Sequence, residues 1–107
     1  MKIMTSVETG SGQLRYHYSE SLAATTSEAV ILPGNGALAT VLVVPGATST
    51  GSVEITISTP AQVKAQTAVW TAWADGAVSA ATLKTLTVQA TALRLVVTGT
   101  CDWEVLA

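Results

Sequence analysis

The chain has 107 residues, 49% of them hydrophobic and 11% charged, with a formal net charge of -2. Soluble domains usually carry about 25% charged residues, so this composition excludes a charge-rich disordered tail and a coiled coil, while the single cysteine, Cys101, excludes a disulfide scaffold. The five basic residues, Lys2, Arg15, Lys64, Lys84 and Arg94, are scattered, and no basic patch exists of the kind that binds phosphates or an anionic membrane surface.

Seventeen threonines and thirteen valines, with no phenylalanine, point to strands, because β-branched side chains suit a pleated, half-buried surface. Seventeen alanines favour helix, but the apolar residues alternate over short runs separated by turn formers, which decides for β structure. Residues 1–12, ending in Gly10-Ser11-Gly12, read as an arm that orders on a partner. They hold one lysine and no apolar run after it, so no signal peptide is expected and synthesis is placed in a host cytoplasm. The domain proper is expected over residues 13–107.

Residues 13–19 read as a strand with Leu14, Tyr16 and Tyr18 on one face and Arg15 and His17 on the other. A short strand at 28–32 leads to the turn Pro33-Gly34-Asn35-Gly36. Residues 37–44 are apolar on both faces and are expected in the middle of a sheet. After a loop at 45–51, residues 52–58 alternate cleanly, with Val53, Ile55 and Ile57 against Glu54, Thr56 and Ser58. Thr59-Pro60 breaks that strand, and another is expected over 62–71. Asp75-Gly76 heads a loop to about residue 81, followed by strands at 82–88 and 92–98. Gly99-Thr100 has the form of a two-residue hairpin turn into a last strand at 101–106. Seven or eight short strands with turn-length connections predict an all-β fold, an antiparallel β-sandwich of jelly-roll type. The longest apolar runs, 29–32 and 41–44, fall far short of the roughly 20 residues of a membrane helix.

Few residues carry chemistry. His17 is the sole histidine. A nucleophilic triad would need it beside a serine, threonine or cysteine with a third, orienting group, and no Gly-x-Ser-x-Gly elbow is present. In a strand between Tyr16 and Tyr18 it reads as a surface or partly packed residue. Asp102 and Glu104, two apart on a strand, share a face. A carboxylate pair can act on glycosides, but opposite Trp103 the solvated face of a strand is the favoured reading. One cysteine and one histidine cannot make a zinc site, no Asp-rich loop offers calcium enough oxygens, and no cofactor is expected. Asp102 beside Cys101 disfavours the reactive thiolate. Among the rings, Trp103 and one of Trp70 and Trp73 are expected in the core. Tyr16, Tyr18, Trp70 and Trp73 are the candidates for an interface or ligand contact, since an exposed ring anchors a partner or stacks on a sugar.

The outward strand positions hold Thr, Ser, Ala and Gln far more often than Lys or Glu. Sheet edges usually carry charge that discourages further pairing, and the centres of interfaces are depleted of charge. Two readings compete for a surface this poor in ions: threonine-rich faces polar enough to stay soluble on their own, or a surface covered by other protein. In the C-terminal third, Trp70-Thr71-Ala72-Trp73, Asp75-Gly76, the run Ala90-Thr91-Ala92-Leu93-Arg94-Leu95-Val96-Val97-Thr98-Gly99-Thr100 and Trp103-Glu104-Val105 together resemble the closing strands of small β-sandwich virion proteins of tailed phages. The resemblance implies a non-enzymatic structural role in a virion. The expected form is a capsid decoration (cement) protein whose partners are the major capsid protein or another virion protein, and further copies of itself. It assigns no functional residue. A carbohydrate-binding module or a tail or neck accessory protein is the alternative.

Overall fold

The computed structural model describes residues 3–8, 14–32, 39–86 and 89–107. Among them run nine strands: β1 (Ile3–Glu8), β2 (Leu14–Ala23), β3 (Val30–Ile31), β4 (Thr40–Pro45), β5 (Thr50–Thr56), β6 (Thr71–Val78), β7 (Thr82–Thr85), β8 (Ala92–Thr98) and β9 (Thr100–Leu106). One short helix, α1 (Pro60–Lys64), lies between β5 and β6. A five-stranded sheet, β1-β2-β9-β4-β7, packs on a four-stranded sheet, β3-β8-β5-β6, and all the pairings are antiparallel. From β2 onward the chain crosses between sheets at every connection except β5 to β6. That order, β2-β9-β4-β7 over β3-β8-β5-β6, is the jelly roll.

Alternation places the core. On β9, Cys101, Trp103 and Val105 are buried while Thr100, Asp102, Glu104 and Leu106 are exposed. Val41 and Val43 of β4 and Leu93, Leu95 and Val97 of β8 join the same core. The central position expected for residues 37–44 holds for β4, which pairs with β7 on one side and β9 on the other.

Several expectations change. The segment expected as an arm contributes β1, which lies along β2 from Ile3 opposite Ser19 to Glu8 opposite Leu14. The strand expected at 62–71 is instead α1 and a connecting loop, with β6 starting at Thr71. A capping box makes this helix: the Thr59 side chain accepts a hydrogen bond from the Gln62 N–H at 3.2 Å, and the Gln62 side chain accepts one from the Thr59 N–H at 2.9 Å. Proline at the first helical position adds to it. Asp75-Gly76 is no loop but part of β6, which bulges there. Its register with β5 shifts between the Ser52–Ala77 and Glu54–Ala72 pairs, and Gly76 takes the positive φ of 62°. Gly99-Thr100 is no hairpin turn, because β8 and β9 lie in different sheets. Gly99, at φ 85°, turns the chain across the sandwich, and a Cβ there would sit 2.9 Å from that of Ser49. The turn expected at Pro33-Gly34-Asn35-Gly36 lies outside the described residues.

Candidate functional site

The outer face of the five-stranded sheet follows from its registers. Leu42 of β4 stands opposite Leu83 of β7 and Glu104 of β9. Val44 is opposite Asp102, and Leu106 is opposite Thr40 on one side and His17 on the other. Leu83 is 65% exposed, Leu106 41% and Val44 39%, with Leu42 half-buried beside them. These four side chains form an apolar strip. Beyond it the uncharged described side chains of the face are Ser19, Ser21, Ala23, Thr40, Thr85 and Thr100. Its ionisable groups, among the described side chains, are His17, Asp102 and Glu104. The His17 Nε2 donates to Glu104 Oε1 at 2.9 Å, tying β2 to β9. Asp102 and Glu104 do share a face, as the alternation predicts, and both are exposed on it. Among the described residues, no three His, Cys, Asp or Glu converge to hold a metal ion.

The outer face of the four-stranded sheet is different. Arg94 of β8 and Glu54 of β5 are register partners, and the Arg94 Nε donates to Glu54 Oε1 at 2.7 Å. The Arg94 guanidinium also lies 4.4 Å from the centre of the Trp70 ring, within cation–π range. Trp70 and Arg94 line a groove with Glu28, Ile31, Val63 and Lys64. Val63 is the buried residue of α1.

The four aromatic candidates do not come together. Trp70 lies on the outer groove with one ring face under Arg94. Trp73 is half-buried, packs against the core and lines a small recess with Val41, Val53 and Val78. Tyr18 is 8% exposed, and its hydroxyl donates to the Ile31 carbonyl at 3.4 Å across the two sheets, so it packs the core. The Tyr16 backbone pairs with Ser6; its side chain lies outside the described residues. Trp103 is buried, as expected.

Cys101 is buried too. Burial pushes its thiol above the ordinary range, Asp102 adds to the rise, and a hydrogen bond with the Val44 backbone opposes it. Sequence reasoning found the smaller cause, the carboxylate next door, and not the larger. It also missed the apolar strip. The signal was present in Leu106, an apolar residue at an outward position of an alternating strand, but Leu83 and Leu42 join it only through pairings between distant segments. Set against known protein families, curated proteins and solved structures, the chain matches none.

Proposed function

We propose that this chain is a non-enzymatic structural protein of a phage virion, a capsid decoration protein that docks on the major capsid protein through the outer face of its five-stranded sheet. The observation that carries the reading is the strip of Leu42, Val44, Leu83 and Leu106 on the outer face of the five-stranded sheet. Apolar area of this kind contributes about 25 cal/mol per Å² when covered, less the cost of association. Contacts repeated over many equivalent sites on a shell make a modest single contact sufficient. The jelly roll itself recurs in viral capsid and lectin domains, an analogy of fold that carries no function alone. The carbohydrate reading draws less support, since Arg94 covers one face of Trp70 and Tyr18 is buried.

The test is co-sedimentation with phage heads assembled without this protein. The wild-type chain binds saturably. Leu83→Asp and Leu106→Asp, both on exposed positions, weaken binding about tenfold or more, while Ile57→Asp, an exposed residue after β5 of the other sheet, leaves it unchanged. Absence of binding, or binding to purified tails in place of heads, overturns the proposal.

A further inference from the structure

We propose that the groove beside Trp70 is a binding site for a small organic monocarboxylate, read by the Arg94 guanidinium. The groove lies on the outer face of the four-stranded sheet and has a volume of about 770 Å³, within the range of about 300–1,000 Å³ common to ligand sites. Arg94, which lines it, is held from two sides. Its Nε donates to Glu54 Oε1 at 2.7 Å, and its guanidinium lies 4.4 Å from the centre of the Trp70 ring. These contacts fix the group in place and engage only the Nε–H among its N–H donors. The Nη groups make no hydrogen bond among the described residues. A guanidinium fixed in this way offers its remaining donors as a planar fork, which matches the two oxygens of a carboxylate.

Charge and lining set the class of ligand. Of the described basic side chains, Arg94 and Lys64 both line this groove, while Lys84 lines the recess beside Trp73. Lys64 makes no ion pair among the described residues. Against these two cations stand Glu54, bonded to Arg94, and Glu28, on the lining. With the signs so balanced, one negative charge beside Arg94 and Lys64 is better tolerated than the nearly two of a phosphate group, which would repel both carboxylates more strongly. Ile31, Val63 and Trp70 supply apolar lining, so the carboxylate is carried on an apolar body. The site belongs to the sheet opposite the proposed docking face, and it stands or falls independently of docking on a shell.

The experiment is an amide chemical-shift titration of the full chain at neutral pH with benzoate, and in parallel with its uncharged amide, benzamide, and with inorganic phosphate. Benzoate binds saturably in the millimolar range, with the largest shifts around Trp70, Arg94 and Lys64. Benzamide and phosphate bind about tenfold more weakly or less. Arg94→Lys keeps the charge, loses the planar fork and weakens benzoate binding about tenfold. Glu54→Gln keeps an oxygen that accepts from the Arg94 Nε, removes the nearest opposing charge and tightens benzoate binding about threefold, a gain that a folding defect would not produce. The proposal is overturned if benzoate gives no saturable shift, if the shifts centre elsewhere, or if benzamide or phosphate binds as tightly as benzoate. It is equally overturned if Arg94→Lys binds as well as wild type or Glu54→Gln binds no more tightly.

Discussion

Cys101 shows how a single residue's chemistry depends on its depth. Its Sγ donates to the Asp102 carbonyl at 3.5 Å, and its thiol, raised chiefly by burial, stays neutral where an exposed thiol would ionise. The folded-state pKa therefore lies above that of the unfolded chain. The resulting stability is fully present below the ordinary thiol pKa and is lost as pH rises through the raised, folded value. Urea unfolding followed into the alkaline range should show this decline, and Cys101→Ala should remove the part that comes from the thiol. A pH dependence identical in the two proteins would contradict the burial argument. Adjacency in sequence makes Asp102 visible as an influence on the thiol. Depth is set by β4 and β8, segments far away along the chain, and leaves no mark beside the cysteine.

Among the elements, α1 rests on local chemistry more than any strand does. Its five residues are too few to form a stable helix alone, so the reciprocal Thr59–Gln62 hydrogen bonds and burial of Val63 hold it in place. Thr59→Ala should destabilise the protein by about 1 kcal/mol in equilibrium urea unfolding, and Thr59→Ser should avoid most of that loss. The signal for this helix is legible in Thr59-Pro60-Ala61-Gln62, a capping box with proline at the first position. Reading the apolar residues at 63 and 69 as strand alternation hides it. Gly76 and Gly99 teach a related lesson. Each marks a positive φ correctly, but whether that φ makes a turn, a bulge or a crossing depends on which distant strand lies alongside. By contrast, the alternation in 101–105 is strict enough to assign the buried face of β9 from residue types alone.

For the whole molecule, composition and punctuation suffice for an all-β sandwich, since turn formers recur at short intervals and no long apolar stripe exists. Strand order is another matter. β9 comes to lie between β2 and β4, and β8 between β3 and β5, through contacts that no local pattern encodes. The proposed docking face inherits this property, because Leu42, Val44, Leu83 and Leu106 come from three strands. Their presence together on one outer face is the basis for proposing that face as the one against a shell. Cryo-electron microscopy of heads assembled without this protein and then saturated with it tests the assignment most directly. The expected map shows the jelly roll seated with β4, β7 and β9 toward the major capsid protein and Leu83 at the contact. A map without added density, or one in which the α1 side and the Trp70 groove face the shell, would contradict it.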